Sequence, residues 1–361
     1  MARPTKALIN AQALRHNLQL AKTLSANGRC VAIIKANAYG HGATLVAKAL
    51  ANDAEVFGVA CIEEALALRN SGIAQPILLL EGAFSSDEIL IASQQNFWLM
   101  ACNTEQIDAI LHATLAEKVT VWLKVDTGMH RLGVTMNNMK NCYLRLKNSA
   151  NVVDNPVIAT HFSSADDFDN DQTAIQTQRL TALAAEVNAP MSLANTPALL
   201  GWPQTRRDWN RPGFMLYGNS PFSVAHDQAA KLKPVMSLLS RVIDMHRIPA
   251  GDSVGYGETW TAQRESLIAT IAVGYGDGYP RACGNGTPVW IKGNRAPLVG
   301  RVSMDMITVD VTDIANVVIG DEVELWGNNI TATEIAQHAS TIGYEVLTRM
   351  PARTPRYLIN T

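Results

Sequence analysis

A single lysine closes the apolar run Val31-Ala-Ile-Ile34, and Lys35 is the residue best placed for covalent chemistry. An amine held against apolar walls gives up its proton readily, because burial disfavours the ammonium form. The free amine can then condense with a carbonyl as a Schiff base. The plainer alternative is a surface lysine just past a strand. Two arginines lie in glycine-punctuated segments. Arg131 belongs to Lys124-Val-Asp-Thr-Gly-Met-His-Arg-Leu-Gly133, where Gly128 and Gly133 permit tight turns that would swing it over a site. Otherwise it is solvated on a loop. Arg211 opens Arg211-Pro-Gly-Phe214, where Pro212 and Gly213 free the backbone for close approach. The amides of Gly213 and Phe214 are then candidate phosphate donors. The structural alternative pairs Arg211 with a carboxylate such as Asp208. Tyr256, between Gly255 and Gly257, presents its ring on a loop, where most glycine-flanked tyrosines are simply turn residues. His161 ends a strand-like run, where a histidine is either structural or a support for neighbouring groups.

Such side chains need elements to position them. Eight short apolar runs alternate with helical patterns: Val31–Ile34, Val56–Ala60, Ile77–Leu80, Phe97–Ala101, Val119–Val125, Val157–His161, Met191–Leu193 and Arg211–Leu216. Uninterrupted branched runs are how parallel strands covered on both faces read. Between them lie helical patterns such as Thr104–Ala113, which Asn103 would cap, and Ala174–Val187. Leu14, Leu18 and Ala21 mark a further helix after Asn10. The pattern predicts a (β/α)8 TIM-like barrel, with a doubly wound sheet as the alternative. In both, chemistry sits at the carboxyl ends of the strands, where Lys35 falls. After Lys231 the texture becomes β-like: Val235–His246, Leu267–Val273, Pro288–Ile291, Met306–Val311 and Glu322–Leu325, with only Thr333–Ala339 helical. This predicts a barrel over 1–230, a linker near His226–Lys233, and a mostly β domain over 231–361.

Hydrophobic residues make up 47% of 361, enough for a large core. A net charge of −2 gives no electrostatic case for nucleic acid or an anionic membrane. Cys30, Cys61, Cys102, Cys142 and Cys283 are scattered without CxxC spacing and read as reduced, buried thiols, with no metal site among them. No apolar segment reads as a signal peptide or approaches membrane-spanning length, so a cytoplasmic protein is expected.

The segment Lys35-Ala-Asn-Ala-Tyr-Gly-His-Gly42 resembles the pyridoxal phosphate segment of alanine racemases, and further motifs follow in the family's order through Pro355-Arg356. The resemblance implies pyridoxal 5'-phosphate as cofactor, held at Lys35, Tyr39, His161, Asn195, Thr196, Arg211, Gly213, Phe214 and Tyr344. Arg211 would face the pyridine nitrogen. Threonine at 196 departs from the family's usual serine while keeping the hydroxyl, and Pro197 removes a backbone donor. Arg131 and the backbone of Met304, in Gly300-Arg-Val-Ser-Met-Asp305, would bind the substrate carboxylate. Lys124 matches a lysine often carbamylated in the family. Tyr275, Arg281, Arg301 and Asp166 would form the entrance. The resemblance further implies a homodimer with shared sites that interconverts L- and D-alanine, for peptidoglycan or catabolism, with Lys35 and Tyr256 as the two bases. Both side-chain types ordinarily titrate near ~10, so such a site must lower them. Two rivals share parts of this plan. One is a decarboxylase of the same two-domain design, for which Cys283 would serve. The other is a non-catalytic cofactor carrier, which lacks a β domain.

Overall fold

The computed structural model describes residues 3–360. Its centre is a closed barrel of eight parallel strands: β2 (Arg29–Ile33), β3 (Val56–Val59), β4 (Ile77–Leu79), β5 (Phe97–Ala101), β6 (Val121–Lys124), β7 (Val157–Ala159), β8 (Met191–Ser192) and β9 (Trp209–Asn210). Closure is set by β2, which pairs with β3 at Val31↔Val56 and with β9 at Cys30↔Asn210. Seven of the predicted runs carry barrel strands. The eighth does not: the strand is Trp209–Asn210, and Phe214–Tyr217 is a 3-10 turn. Pro212 has no N–H to continue the ladder, so the chain leaves the sheet there.

Trp98, Trp122 and Trp209 project into the barrel from the amino halves of β5, β6 and β9, with ring centroids 5.4 to 6.4 Å apart. They fill that end, and the carboxyl end stays open. Asn10 caps helix α1 (Ala11–Ser25) through Ala13 N at 2.9 Å, and Asn103 caps Thr104–His112 through Gln106 N at 2.8 Å, the second cap as the sequence predicts. Leu14, Leu18 and Ala21 bury the inner face of α1, the two leucines contributing roughly 1.5–3 kcal/mol each. This helix precedes the barrel yet packs where the chain leaves it. Buried Asn17 donates to Leu216 O and Lys233 O and accepts from Lys233 N.

The second sheet runs β15 (Asn294–Pro297), β14 (Pro288–Ile291), β17 (Glu322–Trp326), β10 (Met236–Ile248), β1 (Lys6–Asn10), β18 (Arg356–Ile359). The far half of β10 also pairs with β13 (Ser266–Ile271), which pairs with β16 (Ile307–Asp310). Strand β1 lies antiparallel to β10 and parallel to β18, so residues 6–10, which the sequence reading grouped with the barrel, belong to the second sheet. A short hairpin, β11 (Ser253–Val254) and β12 (Trp260–Thr261), projects from this domain. Besides the predicted helix, found at Ala332–His338, there is an unpredicted one at Gly343–Thr348. All five cysteines are free, four buried and Cys61 half-buried. Among the described residues no helix is long and apolar enough to cross a membrane.

Candidate active site

The open end of the barrel holds a cavity of about 500 Å³. Lys35 enters it immediately after β2, Lys124 from the end of β6, His161 just past β7, and Arg211 just past β9. Ile33, Leu80 and Met100 form an apolar wall. The chain beyond Lys35 takes an unusual path. Ala36, Asn37, Ala38 and Tyr39 all have φ between 49° and 54°, one turn of left-handed helix. L residues disfavour that conformation by roughly 1–2 kcal/mol each. Hydrogen bonds from Gly40 N to Ala36 O, Gly42 N to Asn37 O and Ala43 N to Asn37 Oδ1 hold it. Glycine is required at 40, where φ is 79° and a Cβ would sit 1.9 Å from Leu347 O. The turn ends by setting the Tyr39 ring 4.8 Å from Tyr217 and 6.1 Å from Tyr344, where burial pushes its hydroxyl up to about 12.

Arg211 decides the electrostatics. It is 6% exposed, and it donates to Ser192 Oγ at 2.5 Å, Thr160 O at 2.6 Å and Leu193 O at 3.0 Å. No carboxylate pairs with it among the described residues. Asp208 instead accepts from Met191 N at 2.8 Å, which removes the structural alternative. Burial lowers the guanidinium to about 10, so it stays charged at neutral pH, and Nε–H finds no acceptor among the described residues. Arg131 rims the cavity, also without a carboxylate partner among the described residues. This cationic cluster governs its neighbours. Burial, then Arg211, Arg131 and Lys35, lower Lys124 to about 8 against the favourable pull of Cys102. Burial and the same cations, Lys124 included, hold His161 well below 6.5 and therefore neutral.

Also lining the cavity, Thr196 Oγ1 accepts from Gly213 N at 2.9 Å and Met215 N at 3.3 Å, leaving its own hydrogen to donate outward. The Gly213 amide, a candidate phosphate donor by sequence, donates here to that hydroxyl. Its glycine also answers a steric need, since a Cβ would lie 2.9 Å from Tyr39 Oη. Asn195 lines the cavity while its Oδ1 caps the short helix Thr196–Gly201 through Ala198 N. Phe214 stacks on Tyr344 at 3.7 Å and 11°, so the unpredicted helix Gly343–Thr348 brings the second domain onto the barrel mouth.

The remaining predicted residues do not join the cavity. Tyr256 sits at the hairpin tip, 74% exposed, between Gly255 (φ 77°) and Gly257 (φ 72°). Tyr275 and Met304 are 40% and 53% exposed, on adjoining loops tied by Tyr275 N to Ser303 O and Gly276 N to Met304 O. Buried Asp277 braces these loops, taking Arg3 at 2.6 Å and Arg353 at 2.9 Å. Arg281 and Arg301 line a separate cavity of about 230 Å³, and Asp166 is exposed on the barrel side. Sequence reasoning missed Ser192, Asp277, and Glu64 beside the Lys35 turn. The available signal was weak, a polar residue inside an apolar strand run in one case and acidic residues in ordinary settings in the others.

The family model described as "Alanine racemase, N-terminal domain" matches residues 9–221, and "Alanine racemase, C-terminal domain" matches 235–358. The chain belongs to the alanine racemase family. It is 47% identical over 354 residues to an alanine racemase of Pseudomonas taetrolens, covering 98% of each chain. It is 46% identical to the catabolic alanine racemase of Pseudomonas putida, again covering 98% of each. The crystal structure of a biosynthetic alanine racemase from Pseudomonas aeruginosa superposes with a TM-score of 0.95 at 42% identity, covering 99% of this chain and 100% of the other. These matches give the activity as alanine racemisation, an isomerase reaction, and set aside the decarboxylase and carrier readings. The family works with pyridoxal phosphate. A buried cation with an unclaimed N–H, an apolar wall and a hydroxyl donor in the same cavity suit a flat aromatic ring with a nitrogen acceptor and an anionic arm.

Proposed function

We propose that alanine is racemised on pyridoxal 5'-phosphate in the barrel mouth of a homodimer, with Lys35 and Tyr256 of each site drawn from different subunits. The observation that carries this reading is the division of the candidate residues. Lys35, Arg131, Thr196 and Arg211 share one cavity, whereas Tyr256 and Met304 stand exposed outside it. A catalytic tyrosine left 74% exposed in one chain suits a site completed by a second copy.

In this reading Lys35 holds the cofactor, and Tyr39, Thr196, Phe214 and Tyr344 surround its phosphate. When bound, the cofactor makes the α-hydrogen of alanine acidic by spreading the charge left behind over its ring. Arg211 would offer its Nε–H to the ring nitrogen and keep its own proton. That would leave the ring a modest electron sink and favour prompt return of the proton over transamination. His161 would support this region as a neutral imidazole beside Arg211. Arg131 and the Met304 amide of the partner subunit orient the substrate carboxylate. Freed when the amine of the substrate takes its place, the Lys35 amine would remove or return the proton on the D face, and the oxygen of the partner's Tyr256 would do so on the L face. Carbamylation of Lys124 would turn its amine into an anion between Arg131 and Arg211. Five free cysteines suit a reducing cytoplasm as the working compartment.

Mixing an inactive Lys35→Ala chain with an inactive Tyr256→Phe chain tests the shared site. After subunit exchange, heterodimers each hold one intact site, so about a quarter of wild-type activity returns. Absence of recovery, with exchange verified by a size tag on one chain, would refute the arrangement.

A further inference from the structure

We infer that Glu64 is a positioning residue for Lys35, its carboxylate fixing the left-handed turn that aims the amine into the cavity. The inference rests on the reading that Lys35 carries the cofactor. Four consecutive non-glycine residues at positive φ do not persist without outside support. The bonds within the turn leave the amides at its start unserved: the ladder inside it uses Ala36 O and Asn37 O, while Ala36 N and Asn37 N point away toward the neighbouring strand end. Glu64 meets them. Its Oε1 accepts from Ala36 N at 2.6 Å and from Asn37 N at 3.4 Å, and its Oε2 accepts from Ala60 N at 2.9 Å. One carboxylate therefore ties the residue after Lys35 to the chain leaving β3.

Two features mark this as a device rather than a surface contact. Glu64 is half-buried and pairs with no lysine or arginine among the described residues, so its charge is given over to backbone amides. Charge-assisted bonds of that kind are the strong class. The neighbouring acid, Glu63, is exposed and does not reach the turn. Ala36 adjoins Lys35, so a rotation at its peptide would swing the lysine side chain away from the apolar wall of Ile33 and Leu80, while Tyr39 stays packed against Tyr217.

Glu64→Gln keeps the shape but replaces one acceptor oxygen by an NH2 group that faces an N–H. Full-length protein freed of cofactor is titrated with pyridoxal 5'-phosphate and with pyridoxine 5'-phosphate, which has no aldehyde for Lys35. The variant binds the aldehyde about tenfold more weakly and pyridoxine 5'-phosphate within about twofold of wild type. At saturating cofactor, exchange of the D-alanine α-hydrogen with heavy water falls about tenfold, and that of L-alanine much less. Ala36→Gly in the same chain restores most of both losses, because glycine accepts positive φ without strain. If Glu64→Gln alone fails to fold, Ala36→Gly/Glu64→Gln is compared with Ala36→Gly by the same titrations. Unchanged aldehyde binding, equal loss of both ligands, equal loss of both exchanges, or no rescue by glycine would each overturn the inference. Borohydride labelling of the wild type away from Lys35 would instead overturn the cofactor assignment on which it rests.

Discussion

Replacing Lys124 by methionine should make the cofactor-free protein more stable at neutral pH, and the gain should vanish as the pH rises. Lys124 sits among Arg211, Arg131 and Lys35 with no carboxylate partner among the described residues, and its amine titrates near 8 against 10.5 for an ordinary lysine. Each pH unit of that difference corresponds to ~1.36 kcal/mol, so holding the ammonium form in the fold costs about 3 kcal/mol. The sign follows from proton counting. Between about pH 8 and 10.5 the unfolded chain binds more protons at this residue than the folded chain, so the wild type gains stability with rising pH across that window. Below it the penalty is complete. Methionine fills a similar volume without charge, so Lys124→Met is stabilised by up to about 3 kcal/mol at pH 7, falling toward zero by pH 10.5. The assay is urea unfolding at fixed protein concentration in buffer stripped of carbon dioxide, repeated across that range. The same environment leaves about a quarter of the amine neutral at pH 7.5, against roughly one part in a thousand for an ordinary lysine. Added bicarbonate should therefore carbamylate the wild type, raise its stability and give a carbon-13 carbamate signal that Lys124→Met lacks. A stability difference that does not change with pH would refute the electrostatic account, and no carbamate signal would refute the modification.

Three further outcomes follow from the same site. Borohydride treatment of the loaded protein followed by digestion should place the label on Lys35, and a label on Lys124 would overturn the central assignment. Tyr256→Phe should bind cofactor normally, abolish heavy-water exchange at the α-carbon of L-alanine and spare that of D-alanine, followed separately for each enantiomer by mass spectrometry. Equal loss from both would indicate one mobile base. Arg211→Glu puts a carboxyl group against the carbonyls of Thr160 and Leu193, an apposition of acceptors relieved only by a shared proton. Racemisation should slow at least tenfold while the transaminated cofactor accumulates faster per turnover, read by chromatography of released cofactor. Unchanged partitioning would exclude control of the ring nitrogen by this residue.

The barrel was readable because parallel strands covered on both faces appear as unbroken apolar runs, and Val56–Val59 or Phe97–Ala101 could be little else. Lys35, Arg131 and Arg211 were visible as polar residues at the ends of such runs or in the glycine turns beyond them. Reading failed where the element was short or its partners distant. Strand β9 is only Trp209–Asn210, and β1 finds its place by pairing with β10 and β18 from the other end of the chain. The left-handed turn has no signature in Ala-Asn-Ala-Tyr, since of those residue types only Asn37 tolerates positive φ readily, and the acceptors that help to hold it arrive from Glu64, beyond the next strand. Protonation was likewise decided in three dimensions. Whether Arg211 meets Asp208 depends on an aspartate that turns out to serve Met191 N. Lys124 titrates near 8 because burial and cations from three separate segments converge on it. Residue type and periodicity act along the chain, whereas burial and Coulomb interactions act across the distances that barrel closure brings together.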